Sequence, residues 1–302
     1  LQREVTDAEE RGPRAALVVA AALLVVAVTY VGVLDGGFVW DDRLVVERAP
    51  LVRELAPLGH YFTRPFWLDP EATGAAGAYY RPLVTLSLAL DHAVHGANPA
   101  GFHLTNLLVH AVNVVLVYLL ARRFGTTVLG AGAAATAFGV APRLSESAAW
   151  VSGRTDALAA LFCLAALLLF QRRFGAWLAA LGVGLGLCSK EVAVAVLPAL
   201  AVFAWRDEER DRRDAWLRLV PTLGVTVAYF AMRARVLPKA ISGLDMDAGL
   251  HARVVLEAAG RYAMMLFDAW RPATLIGFVG APSLPFVVLG AVVVPLAGFS
   301  AW

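Results

Sequence analysis

Two adjacent carboxylates, Asp41 and Asp42, stand in the run Phe38-Val39-Trp40-Asp41-Asp42-Arg43. Three chemistries fit them. A solvated acidic turn asks for nothing but water. A general base asks for one carboxylate aimed at an acceptor hydroxyl, and Phe38 and Trp40 are aromatics of the kind that settle at a membrane–water boundary. A hard divalent cation takes carboxylate oxygens as ligands. A second constellation is Ser189-Lys190-Glu191, charges lodged between two apolar blocks. There, a Lys–Glu neighbour pair at a shallow turn and a cation reaching a lipid-linked phosphate both remain open. In a third stretch Glu146, Arg154 and Asp156 accompany Trp150. Asp156 also reads as the cap of a helix starting near Ala157. Arg154, and Arg81 beside Tyr79-Tyr80, read as surface charges or as phosphate clamps, because the planar guanidinium fork matches phosphate oxygens. Finally His103, Asn106, His110 and Asn113 follow one another at three, four and three residues, which is one face of a helix. Interhelical hydrogen bonding accounts for such a face; a proton or substrate pathway is the other reading. His103 and His110 lie two turns apart and Cys163 and Cys188 have no ligand spacing, so no metal site is expected there. No cofactor is predicted, and a divalent metal at Asp41 and Asp42 stands as the alternative.

The elements that position these residues are membrane helices. Of the 302 residues 59% are hydrophobic and 17% charged, with a mean hydropathy of +0.66, whereas soluble domains carry about 25% charge. The apolar residues arrive in blocks, and a bilayer core needs roughly 20 residues to cross about 30 Å. A formal charge of +2 gives no reason to expect nucleic acid. The bias to arginine, with only Lys190 and Lys239 as lysines, points to a GC-rich bacterial genome.

Ala15–Leu34 reads as a first, retained span, since no small-residue cleavage site follows it. Residues 35–101 form a first loop too polar for lipid, in which Leu83–Val94 reads as a helix lying along the interface. Phe102–Leu120 and Phe124–Val140 read as the second and third spans. After a loop over 141–156, a fourth runs to Arg172-Arg173. Phe174–Cys188 and Val192–Trp205 are short, so Ser189, Lys190 and Glu191 are expected below the membrane surface, where charge must pair or line a polar cavity. Ala215–Met232 is a further span; Val254–Phe267 and Leu284–Phe299 are additional candidates. Because the sequence starts at Leu1 and its last apolar block runs to the end, a trimmed chain is expected.

Orientation follows from arginine. Arg3, Arg11 and Arg14, then Arg122-Arg123, Arg172-Arg173 and the Arg206–Arg213 run share one face if the spans alternate, and the positive-inside rule makes that face cytoplasmic. The loops carrying Asp41-Asp42, Glu146 to Asp156 and Lys190-Glu191 then share the outer face. The expectation is a single all-α, polytopic membrane bundle over residues 1–302, in a bacterial inner membrane with its N-terminus cytoplasmic.

Taken together, Phe38–Arg43, Tyr80-Arg81-Pro82-Leu83, Asp91–Pro99 with Gly101–His110, Glu146–Asp156 and Ser189-Lys190-Glu191 resemble, in order, the transmembrane and tetratricopeptide-repeat O-mannosyltransferases and their bacterial relatives. The resemblance covers residues 15 to 235. It implies a GT-C fold, a polyprenyl-phosphate sugar donor, mannose as the usual sugar, and inverting transfer to a protein hydroxyl. It implies catalytic roles for Asp41 and Asp42, with Asp41 as base, and Glu146, Arg154, Asp156, Lys190 and Glu191 sit where the family's other outer-face motifs lie, as candidates to bind substrate. Arg81, on the same side, is a further candidate cation for the donor phosphate, and the spacing of His103, Asn106 and His110 makes them candidates to face the cavity. The implied partners are the donor lipid, an acceptor protein or peptide and the bilayer. Two departures stand out. The family's His-Pro-x-His-x-Glu reads Ala141-Pro142-Arg143-Leu144-Ser145-Glu146 here, without either histidine, and no tetratricopeptide array is present in the chain. Two other readings follow from the same residues: a transporter of lipid-linked sugar or small solute working through the second span, and a non-catalytic scaffold retaining the fold.

Overall fold

The computed structural model describes residues 2–66, 79–207 and 210–237, with positions 252–254, 256, 257 and 260 in addition. The chain divides into two compact units, one formed by Leu1–Val140 with Leu144–Pro238 and the other by Ala141–Arg143 with Lys239–Trp302. The first unit carries the site and is all helical among its described residues.

Among the described residues, four helical stretches are long and apolar enough to cross a membrane: Gly12–Asp35, Pro99–Arg123, Val151–Leu169 and Arg212–Val236. The first is helix α1, Gln2–Tyr30, extended by a tight turn over Val31–Asp35. Two short helices, α2 (Pro50–Arg53) and α3 (Leu58–Thr63), lie in the loop that follows. Helix α4 (Pro82–His95) is the helix expected in the first outer loop. Helix α5 (Pro99–Arg123) is delimited chemically at both ends. Asn98 caps it by accepting from Ala100 N at 3.2 Å, Pro99 fits the first turn where no N–H is needed, and Arg122-Arg123 face the negative end of the helix dipole.

Helix α6 is a correction. It covers only Val128–Gly139, about 18 Å at 1.5 Å per residue, and does not reach across a hydrocarbon core of about 30 Å by itself. The first residues of the span expected from Phe124 are spent in a turn: Gly125 takes φ +80°, Thr126 Oγ1 donates to Ala121 O, and Thr127 caps the new helix through Gly130 N. The expected loop over 141–156 is also largely helical. Helix α7 (Ser145–Ala149) and a tight turn at Val151–Gly153 lead directly into α8 (Arg154–Leu169). Helix α8 therefore starts three residues before Ala157, and Asp156 lies in its first turn rather than at its cap.

Helix α9 (Gly175–Ser189) stops at Lys190, whose backbone is extended at φ −157° and ψ 136°. A tight turn over Glu191–Ala195 and helix α10 (Val196–Trp205) follow. Helices α11 (Arg212–Leu217) and α12 (Val220–Val236) complete the unit. The spans expected at Val254–Phe267 and Leu284–Phe299 fall outside the described residues or touch them only at scattered positions.

Packing runs across the bundle in the order α1, α6, α5, α8, α9, α12, with α4 resting on α5 and α9. The outside is apolar: Leu17, Leu24 and Val28 of α1, Leu108 of α5 and Leu223 and Val227 of α12 are all half or more exposed. Apolar surface of that extent has no place in water and fits a lipid environment, so the protein is a membrane protein. The inside is where the polar side chains of α5 sit. His103, Asn106, His110 and Asn113 are each less than 5% exposed. One apolar cluster, including Val26, Tyr30, Val114, Tyr118 and Ala135, joins α1, α5 and α6. A second joins Phe38, Val45, Val46 and Val52 of the first loop to Val84, Leu88, Phe102 and Val151. That second cluster fastens the loop carrying Asp41 onto the helices.

Candidate functional site

The acidic pair splits into two different carboxylates. Residues 39–42 close a turn in which Asp42 N donates to Val39 O at 2.9 Å and Val39 N donates back to Asp42 Oδ2 at 3.1 Å. Inside it Trp40 takes φ +46°, a left-handed conformation that costs an L-residue roughly 1–2 kcal/mol. Asp42 is fully buried. Its Oδ1 accepts from Ser152 N at 2.8 Å and from Ser152 Oγ at 2.5 Å. The turn is thus bolted to the segment before α8, and the Trp40 ring meets Trp150 edge-on at 6.0 Å. Asp41 points elsewhere. It is half-buried, its backbone carbonyl accepts from Leu44 N and Val45 N, and its carboxylate has no hydrogen-bond or ion-pair partner among the described residues. Burial, and then the charge of Asp42, push its carboxyl above the ordinary carboxylate range. An ionised but poorly compensated carboxylate is a stronger base than a free one.

Arg154 is placed differently from a phosphate clamp. It is fully buried, with Nη1 at 2.5 Å from Asp91 Oδ2, Nε donating to Asn106 Oδ1 at 2.6 Å and Nη2 donating to Phe102 O at 2.8 Å. Asp91 is itself fixed by Thr105 Oγ1 at 2.8 Å, and Asn106 Nδ2 donates to Trp150 O at 2.7 Å. A guanidinium so committed has little left for a ligand. It ties α4, α5 and α8 together and holds the segment that holds Asp42.

The remaining charges do meet, in crossed pairs. Lys190 and Glu191 do not satisfy each other. Lys190 Nζ donates to Asp156 Oδ1 and Oδ2 at 2.6 and 2.7 Å, with the two side chains 28% and 44% exposed. Arg81 Nη2 pairs with Glu191 Oε2 at 3.3 Å while its guanidinium lies 4.3 Å from the Tyr79 ring centroid. The extended Lys190 backbone makes this possible, since consecutive side chains of extended chain point to opposite sides. Nearby, Tyr229 Oη donates to Tyr80 O at 3.0 Å and Tyr80 Oη donates to Phe62 O at 2.9 Å, so α12 and α3 brace the same region. Burial, and then the neighbouring Cys188, push the Tyr80 hydroxyl up to about 12, leaving it a donor at any ordinary pH. Of Arg81, Arg154 and Lys190, Lys190 and Arg81 are the two not fully buried, and both are held by carboxylates.

The polar face of α5 is mostly spent on packing. His110 Nε2 lies 2.9 Å from Gly139 O and Asn113 Nδ2 donates to Ala157 O at 2.9 Å. His103 is buried against Gly36, with no hydrogen-bond partner for either ring nitrogen among the described residues. Glu146 is exposed on α7 and its side chain has no partner among the described residues. No three His, Cys, Asp or Glu side chains converge there in a way that would hold a metal ion. Sequence reasoning missed Ser152, Asp91 and Tyr229. Asp91 carried a signal, a lone carboxylate on an otherwise apolar helix; Ser152 and Tyr229 carried none.

Residues 80–235, about half of the chain, match the family model described as dolichyl-phosphate-mannose-protein mannosyltransferase. Among curated relatives, the Protein O-mannosyl-transferase Tmtc1 of Drosophila melanogaster is 34% identical over 145 residues, covering 48% of this chain and 17% of that protein. Protein O-mannosyl-transferase TMTC2 of Mus musculus is 33% identical over 189 residues, 58% of this chain and 22% of that one. Protein O-mannosyl-transferase TMTC1 of Homo sapiens is 36% identical over 171 residues, 55% and 19% of the respective chains. The matched part of the chain thus spans about a fifth of the length of these relatives. No solved structure matches.

Proposed function

We propose that this chain, which belongs to the dolichyl-phosphate-mannose-protein mannosyltransferase family, transfers a hexose, mannose in the first instance, from a polyprenyl-phosphate donor to a protein hydroxyl on the outer face of the membrane. The observation that carries the proposal is the division of the acidic pair: a buried, fully bonded Asp42 beside a half-buried Asp41 whose carboxylate has no partner among the described residues.

In the reaction, Asp41 takes the proton of the acceptor hydroxyl as its oxygen attacks the anomeric carbon from the side opposite the phosphate. The glycosidic C–O bond to phosphate breaks, the electron pair leaves with the polyprenyl phosphate, and the configuration inverts. A phosphate is a good leaving group, so it needs cations rather than a general acid. A pair of carboxylates at set separation, as in most glycosidases, is not required. Lys190 and Arg81 are the cations we assign to the phosphate, each exchanging its carboxylate partner for phosphate oxygens when the donor arrives. Asp156 and Glu191 keep them oriented meanwhile. Arg154 keeps a positioning role. The histidines at the two departures, Ala141 and Leu144, are not needed for any of these steps.

The orientation we assign puts the N-terminus and the Arg122-Arg123, Arg172-Arg173 and Arg206–Arg213 runs in the cytoplasm, and Asp41, Asp156 and Lys190 outside. The transport reading draws no support from α5, because His110 and Asn113 are engaged in contacts between helices. The test is incubation of the purified protein in nanodiscs with polyprenyl-phosphate mannose and Ser/Thr peptides, read by mass spectrometry. Hexosylated peptide with stoichiometric release of polyprenyl phosphate is expected. Donor binding without release of polyprenyl phosphate would instead place the chain among scaffolds.

A further inference from the structure

We propose that Ser152 and Asp42 form a positioning clamp that aims Asp41 and sets its basicity, with neither residue touching substrate; the inference rests on the reading of Asp41 as the base. Asp42 is joined to two places at once. Its Oδ2 accepts from Val39 N, across the turn in which Trp40 is held left-handed. Its Oδ1 accepts both the backbone and the side-chain donors of Ser152. A turn containing a bulky residue at positive φ persists only where its surroundings over-determine it. Three hydrogen bonds to one fully buried carboxylate supply that determination, and the residue they aim is the one just before it, Asp41.

Ser152 is in turn buried between anchored neighbours. It lies between Trp150 and Val151, whose carbonyls accept from Asn106 Nδ2, and Arg154 of α8. Gly153 makes the approach possible, because a Cβ there would stand 2.2 Å from Glu146 O. The position of Asp41 is thus referred, through Asp42 and Ser152, to the membrane helices α5 and α8 rather than to its own loop.

The clamp also has an electrical consequence. The groups acting on Asp41 are burial and Asp42. Asp42 is screened by Ser152 from the segment before α8, by Val39 N from its own turn, and by the charge of Arg154 from α8. Removing the Asp42 charge lowers the Asp41 carboxyl toward its ordinary range. Removing only the Ser152 hydroxyl leaves that charge less screened and raises Asp41 further.

The full chain in nanodiscs, assayed with polyprenyl-phosphate mannose and a Ser/Thr peptide across pH, tests this. Asp42→Asn is expected to lower kcat and move the acid limb of the pH profile to lower pH. Ser152→Ala is expected to lower kcat by roughly tenfold, the worth of one hydrogen bond to a charged group, and to move the limb to higher pH, with the donor KM changed little in either. A general loosening of the fold does not move the two limbs in opposite directions. If Asp42→Asn fails to insert, Ser152→Ala decides alone, since it keeps the backbone bond to Asp42. Wild-type kcat and an unmoved limb in Ser152→Ala overturn the clamp while Asp41→Asn stays inactive. Full turnover by Asp41→Asn overturns the base assignment instead.

Discussion

Arg154 shows how little a residue type alone says about its work. An arginine after Ser152-Gly153 on the outer side reads as readily as a phosphate ligand as a strut. Its partners decide: Asp91, Asn106 and the Phe102 carbonyl take its donors inside the protein. Removing one member of a buried, hydrogen-bonded charge pair costs about 3–5 kcal/mol, because the other charge is stranded. Arg154→Met is therefore expected to lower the thermal unfolding midpoint sharply and to lose activity with it. The double change Arg154→Met with Asp91→Leu should recover much of the midpoint, since neither charge of that pair is then left stranded. A wild-type midpoint in the single variant would show that the pair contributes nothing to the fold. Lys190 contrasts with it. Its pair with Asp156 is well solvated, and exposed ion pairs are worth about 0–1 kcal/mol. Lys190→Met should leave the midpoint close to wild type and raise the donor KM by about tenfold or more, the effect of losing one charged contact. An unchanged KM would remove Lys190 from the donor site.

At the scale of elements, the site is a set of crossings between segments far apart in sequence. The loop after α1 is fixed to the segment before α8 by Asp42 and Ser152, α8 to α4 by Arg154 and Asp91, and the segment after α9 to α8 and α4 by Lys190 and Arg81. The approach of the 150–153 turn to α7 depends on a missing side chain at Gly153. Gly153→Ala, whose methyl would press on the Glu146 carbonyl, should displace that turn and reduce kcat together with the unfolding midpoint. Equal turnover and stability in that variant would show that the turn has room to shift without consequence. The elements themselves were largely legible beforehand. Apolar block length placed α1, α5, α8 and α12, the brevity of the blocks on either side of Lys190 placed the interruption between helices there, and the three-four-three spacing on α5 placed its polar face inward. What could not be read was pairing across the bundle. Asp91 and Arg154 are 63 positions apart, and nothing local in either stretch says they meet. The extent of α6 was misjudged for a different reason. Phe124 to Thr127 are apolar or small enough to continue a span, but Gly125 at positive φ and the Thr127 cap turn the chain first.

At the scale of the molecule, the arrangement is that of a membrane protein with apolar residues outward and polar residues within. Its proposed orientation gives a direct expectation. In a variant with Cys163→Ala and Cys188→Ala, a cysteine at Glu146 should react with a membrane-impermeant maleimide from the outside of intact cells. One at Arg123 should react only after permeabilisation. The reverse pattern would invert the topology and move the site to the cytoplasmic face. In the reaction we propose, a lipid-linked sugar is the donor and the chemistry rests on one carboxylate. Asp41 differs from Asp42 in having no side-chain partner among the described residues, and that difference is why we assign it as the base. The decisive measurement is the turnover of Asp41→Asn beside wild type, in nanodiscs, with polyprenyl-phosphate mannose and a Ser/Thr peptide. The account predicts that the variant inserts and melts as wild type does but forms no hexosylated peptide, while wild-type activity falls as pH drops through the raised Asp41 carboxyl. Hexosylation by Asp41→Asn at the wild-type rate would contradict it.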